Sequence, residues 1–170
     1  MRRSLVPATL VTLFVVAFQL EIFSSLRLAG VVIMLVWLWP LVMGLAGFTA
    51  LALYVALLGG LLFDTHATTP LGLTALVGLV LAYSASRLGR EGIGDLDSAA
   101  IWVTPLIGAL GGFAAPVLYT IGAFITLNFS IWRGSLLQSV VVNAVAFFFM
   151  ARPMMRLARA VGTLGERARR

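Results

Sequence analysis

The chain has no cysteine. Disulfides, thiolate nucleophiles and cysteine-based metal sites are therefore excluded. It has no lysine either, so all twelve basic residues are arginine. Charge of either sign is scarce: charged side chains make up 11% of 170 residues, against about 25% in a soluble domain. So few charges cannot clothe a water-facing surface, and a soluble globular domain is excluded. Acidic residues number six and histidine occurs once, at His66. Acid–base and metal chemistry have little to draw on in such a chain.

What fills the sequence is apolar. Hydrophobic residues account for 61%, and the mean hydropathy is +1.07. The runs are continuous rather than alternating, which indicates membrane-spanning helices and not a β-barrel. No long polar stretch separates a second unit, so a single transmembrane domain is expected. The formal net charge of +6 belongs to membrane flanks and a short tail, as the positive-inside rule requires, and does not indicate nucleic acid. Met1-Arg2-Arg3 before an apolar run imitates a signal peptide. The run from Leu5 to Leu20 is longer than a signal core and lacks an A-x-A site, so it reads as an uncleaved first span.

A span needs roughly 20 residues at about 1.5 Å each. Gly30 to Phe63 carries no charge and is too long for one ordinary span. A split near Gly44-Leu45-Ala46-Gly47 gives spans over about 30–45 and 47–63, with Trp37 and Trp39 in the first and a kink at Pro40. Leu71 to Arg87 forms a fourth span, and the polar segment Arg87 to Asp97 is the one substantial loop. Ala99 to Asn128, with Pro105 and Pro116, is expected to be one kinked span, and a sixth runs from about Gly134 to Ala151. Domain boundaries follow: a six-span unit over 1–153 and a basic tail over 154–170, whose apolar positions among arginines suit an amphipathic helix on anionic lipid.

The arginines test this layout. Arg2, Arg3, Arg87, Arg90, Arg152, Arg156, Arg159, Arg167, Arg169 and Arg170 fall on the side of the termini, and Arg27 and Arg133 on the other. The expected fold is a compact, all-α six-helix transmembrane bundle with both termini cytoplasmic.

The hairpin Gly59 to Arg90 holds the feature of most interest. Asp64 and His66 are the only acidic, basic or histidine side chains between Arg27 and Arg87. They are two residues apart, and in a loop they would be able to share a proton or contribute to a metal site. A metal site takes three or four protein ligands, and no third stands nearby in sequence. Asp64 therefore reads as a helix-end hydrogen-bond acceptor and His66 as a solvated loop residue. No phosphate-cradling glycine loop, HExxH or GxSxG occurs. No ionisable group falls in mid-span, which disfavours pumps and ion-coupled carriers. Catalytic, cofactor-binding and metal residues are accordingly expected to be absent. Small residues are plentiful. Gly108 and Gly112 form a GxxxG pair suited to close helix packing, within the bundle or against a partner's helix. Asn143, with Gln138 nearby, is placed to hydrogen-bond across helices.

The pattern Gly60-Leu61-Leu62-Phe63-Asp64, five residues, then Pro70-Leu71-Gly72 and a span ending near Tyr83 resembles the rod shape-determining protein MreD family. The length, the basic amino-terminal pair and the arginine-rich tail are similar too, while His66 has no counterpart in the family pattern. The resemblance implies a non-enzymatic subunit of the cell-elongation machinery in the bacterial inner membrane. Its partner would be the bitopic protein MreC and, indirectly, a SEDS glycosyltransferase (RodA), a class B penicillin-binding transpeptidase and MreB. It implies a fold like the S components of energy-coupling-factor vitamin transporters, and hence an alternative function as a vitamin-binding membrane module. Gly60, Asp64, Pro70, Gly72 and Tyr83 are the hairpin residues it singles out.

Overall fold

The computed structural model describes residues 2–23, 27–28, 31–67, 70–92, 102–126 and 136–167. Within them lie six α-helices: α1 (Arg2–Phe18), α2 (Leu35–Leu45), α3 (Thr49–His66), α4 (Leu73–Arg87), α5 (Val103–Ile125) and α6 (Leu136–Arg167). A π-helical turn over Gln19–Phe23 extends α1, and another over Leu88–Gly92 extends α4. Two short strands, β1 (Arg27–Leu28) and β2 (Val31–Val32), pair antiparallel with Arg27 opposite Val32.

Four helical stretches are long and apolar enough to cross a bilayer: Leu5–Ile22, Thr49–His66, Val103–Ile125 and Leu136–Gly162. Their outward faces are apolar, with Phe14 on α1, Leu57 on α3, Phe113 and Phe124 on α5, and Val141, Val145 and Phe149 on α6 all exposed. A water-soluble protein would not leave so many large apolar side chains uncovered; a lipid-facing one needs them there.

The split in the long uncharged segment falls where the glycines suggested. α2 ends at Leu45, Gly47 takes φ +85°, and α3 starts at Thr49. The positive φ is the reason a glycine stands in that turn. The extent of α2 differs from expectation. It starts at Leu35 rather than near residue 30 and has 11 residues, all buried, which at 1.5 Å each is about 16 Å, half a hydrocarbon core. Pro40 lies inside it without ending it. α2 is thus a central rod wrapped by the longer helices.

The segment before α2 is not helical, and that raises an accounting problem. Backbone N–H and C=O groups without helical partners are costly away from water and are tolerated at membrane depth only when buried in protein and bonded. Two buried amides meet this need. Gln19 Oε1 accepts from Leu35 N at 2.7 Å, and its Nε2 donates to Ile33 O at 2.9 Å. Asn143 Oδ1 accepts from Met34 N at 2.9 Å, while its Nδ2 donates to Ser139 O at 2.9 Å and, more weakly, towards Val32 O at 3.5 Å. Each side-chain amide offers the donor and acceptor that a neighbouring strand would offer. Gln19→Ala and Asn143→Ala should each lower stability in detergent by about 1–2 kcal/mol, since each orphans a buried backbone N–H. Because Met34 and Leu35 are adjacent, the double variant should lose measurably less or more than the sum of the two; strict additivity in a double-mutant cycle would show that the amides act separately.

α1 and α3 run parallel, as the Thr9–Tyr54 hydrogen bond and the approach of Thr12 and Val16 to Gly59 show. α4 runs against α3, with Gly60 at Ala75 and Gly78 at Ala56, and α5 runs against α6, with Gly112 at Asn143 and Gly108 at Ala151. Gly162 of α6 meets the ring of Phe48, and Gly89 meets the Leu45 backbone. The start of α1 and the last turns of α6 therefore lie at the same end of the bundle as the α2–α3 turn.

α5 is one helix through Pro116, as expected of 99–128, and Pro105 sits in its first turn, where its missing N–H removes no helical bond. α6 does not stop at Arg152-Pro153. It continues unbroken to Arg167, with Pro153 exposed on its surface. Met155, Ala158 and Val161 are in the core. Of the apolar residues after Pro153, expected to lie on lipid, Met155 and Val161 are packed against the protein and Leu157 is exposed.

Candidate functional site

The site grows out of three different demands on three residues at the α3–α4 junction. At Gly60 the demand is space. A Cβ there would fall into the backbone of Ala75, so no larger residue lets α3 and α4 approach this closely. At Gly72 the demand is conformation. Its φ is +91°, with nothing within 4 Å of where a Cβ would stand, so the turn rather than the packing selects glycine. At Asp64 the demand is polar. Its carboxyl is 3% exposed, and Oδ2 accepts from Gly72 N at 2.8 Å and Thr74 N at 3.1 Å.

Those two N–H groups are orphan donors at the start of α4, whose N-cap residue Gly72 has no side chain to satisfy them. A carboxylate in the last turn of α3 does the capping that serine or aspartate does at an ordinary N-cap position. It also places an acid against the positive end of α4's dipole. Pro70 completes the junction by accepting from Leu73 N at 3.1 Å. The hairpin is thereby locked at its tip by backbone–carboxyl bonds and below it by a glycine contact.

The helix runs three residues further than the apolar run suggested, to His66, and this separates Asp64 from His66. Two residues along a helix is about 200°, so they project to opposite faces. Asp64 is buried and His66 exposed. His66 Nδ1 lies 2.9 Å from Leu62 O and 3.1 Å from Thr65 Oγ1, a local helix-end arrangement. Among the described residues no group of three or more histidine, aspartate or glutamate side chains comes together as a metal site would need.

Tyr83 is not part of this cluster. It is 52% exposed on α4, 11 residues and so about 16 Å from Gly72. Gln138 and Asn143 also separate. Five residues along α6 turn about 140°, so Asn143 points into the core and Gln138 outward. Gln138→Ala should change stability by no more than about 1 kcal/mol in a detergent unfolding titration, as an exposed residue in the first turn of a helix does. The GxxxG pair is spent within the chain: a Cβ at Gly108 would stand 2.6 Å from the Ala151 Cβ, and one at Gly112 would enter the Asn143 backbone. Sequence reading missed Gln19, the second amide at α2. Its signal was available: a glutamine at the end of an otherwise apolar run, where an uncompensated amide would be expensive.

No protein-family model matches the chain, and no curated protein and no solved structure shows significant similarity to it.

Proposed function

We propose that this chain is an MreD-like membrane scaffold: a non-enzymatic, six-crossing protein of the bacterial inner membrane with both termini in the cytoplasm. It acts in the rod-shape peptidoglycan-synthesis complex by associating with an MreC-like bitopic protein. Through that partner it connects indirectly to a SEDS glycosyltransferase, a class B penicillin-binding transpeptidase and MreB.

The observation that carries this reading is the junction itself. Gly60, Asp64 and Gly72, three of the residues on which the resemblance rests, come together and each has a separate physical reason to be there. The buried carboxyl spends two bonds on capping a helix, a structural task rather than a chemical one. The six-crossing arrangement is supported by length. The non-helical residues 31–34, at up to about 3.3 Å each, and α2 together reach up to about 29 Å, a hydrocarbon thickness.

Three experiments test the reading. Co-expression with an MreC-like bitopic protein should give a complex that survives mild detergent; a folded chain that never co-purifies would end the proposal. A stabilising vitamin-like ligand in a thermal-shift screen, without such a complex, would favour the S-component alternative. Topology is testable because the chain has no native cysteine. His66→Cys should react with a membrane-impermeant thiol reagent from the outer face.

A further inference from the structure

The exposed stripe of α6 changes chemistry partway along. Val141, Val145 and Phe149 follow one another at four-residue spacing and are all exposed. Continued along the helix, the same stripe carries Arg152, Arg156 and Arg159: at 100° per residue these lie within about 80° of Phe149, on the side that Val141 and Val145 occupy. Phe149 to Arg156 is seven residues, about 10 Å of rise, the depth over which a bilayer passes from acyl chain to headgroup. Leu157 stays 40% exposed between the arginines.

The other face of this stretch is fixed. Met155, Ala158 and Val161 are in the core, and Gly162 abuts the Phe48 ring. The helix therefore cannot roll its arginines away from where they stand. Arg156 is exposed; Arg152 and Arg159 are half-buried and also interact within the chain, which orients them. On the other flank of the α2–α3 turn, Gly89 packs on the Leu45 backbone. The next residue, Arg90, is exposed with its Nε donating to Ser86 O at 3.3 Å. Arginines thus stand on two helices at this end of the bundle, and those of α6 lie directly above its apolar, lipid-facing stripe.

We infer that this end of the bundle is a binding surface for the phosphate headgroups of anionic phospholipids, seated with their acyl chains along the apolar stripe of α6. The apolar wall is what selects a lipid over free phosphate. Guanidinium selects phosphate by paired N–H donation, and each arginine near an anionic surface strengthens the attraction about five-fold at physiological salt. The inference stands on α6 and α4 alone and does not depend on the scaffold function.

The test uses the full chain in detergent with equal amounts of phosphatidylcholine and either phosphatidylglycerol or cardiolipin, counting retained lipids by native mass spectrometry. The wild-type chain should retain the anionic lipid in preference. Arg156→Gln should lower that preference about five-fold and Arg90→Gln/Arg156→Gln further, while Arg156→Lys, which keeps the charge but not the fork, should fall between. Raising the salt should weaken retention in the wild type more than in the double variant. Both positions are exposed, so folding is expected to hold; an unchanged gel-filtration profile checks it. An absence of preference in the wild type, an unchanged preference in the double variant, or full displacement of the retained anionic lipid by added inorganic phosphate would each overturn the assignment.

Discussion

Asp64→Ala is expected to lower the stability of the purified, partner-free chain by about 3 kcal/mol, read as a shift in an SDS unfolding titration from mild detergent. The substitution deletes the acceptor for two N–H groups, those of Gly72 and Thr74. Hydrogen bonds to an ionised group contribute about 1.5–3 kcal/mol each, and a lost helix cap about 1. The two estimates bracket the effect, because both donors share one oxygen and relaxation at the turn recovers part of the loss. Water has little access to a carboxyl that is 3% exposed, so solvent will not replace the missing acceptor.

Asp64→Asn sharpens the test. It keeps an acceptor of the same shape and removes the formal charge, so about half the loss should remain. His66→Ala should be within about 0.5 kcal/mol of wild type, since the imidazole is exposed and bonded only locally. The contrast separates a helix cap from an Asp–His pair acting together. If Asp64→Ala were as stable as wild type, or if the two substitutions were strongly coupled, the capping account would fail.

How much of this was legible in the sequence depends on which physical signal each element carries. The break at Gly47 was legible because a 34-residue uncharged run must break somewhere, and glycine marks where positive φ is cheapest. α5 was legible because apolar length decides a span and a proline one turn in costs little. The start of α2 was not. Val31, Val32 and Ile33 are apolar enough to read as helix, and only their β-branching hints at the extended chain found there. What holds the stretch is the pairing of Val31–Val32 with Arg27–Leu28 together with two amides 14 and 109 residues away, from Gln19 to Ile33 and from Asn143 to Met34, and those tertiary bonds leave no local trace.

Pro153 misdirected for a related reason. In a helix interior it costs a hydrogen bond and strains the preceding turn, which made it a natural terminus. In the structure, burial of Met155, Ala158 and Val161 outweighs that cost and carries α6 on. At the hairpin the residue types were legible and the geometry was not. An acid at the end of an apolar run with a glycine eight residues on suggests a helix-end acceptor. That the acid caps the following helix, while His66 turns away on the opposite face, depended on α3 continuing past Phe63.

A large packing effect should come at the α5–α6 seam, and it decides what the GxxxG pair is for. Gly112→Ile would drive a branched side chain into the backbone of Asn143 and Ala144, where a Cβ alone would stand 2.7 Å from the Ala144 Cα. Backbone cannot swing aside as a side chain can, so the two helices must part. Overpacking a well-filled interior costs about 1–3 kcal/mol and more where backbone is the obstacle, so the loss should exceed about 3 kcal/mol. Displacing Asn143 would also release its bond to Met34 N, loosening the start of α2 some distance from the substitution. Two consequences are measurable in the chain alone, with no partner present. Gly112→Ile should fail to reach wild-type stability in detergent, whereas Phe113→Ala, one residue on and 55% exposed, should have a small effect. Gly112→Ile combined with Asn143→Ala should be less destabilised than the sum of the two, since the second removes a bond that the first has already strained. A groove kept open for another protein's helix would behave in the opposite way: Gly112→Ile would leave the isolated chain stable and weaken only its complexes.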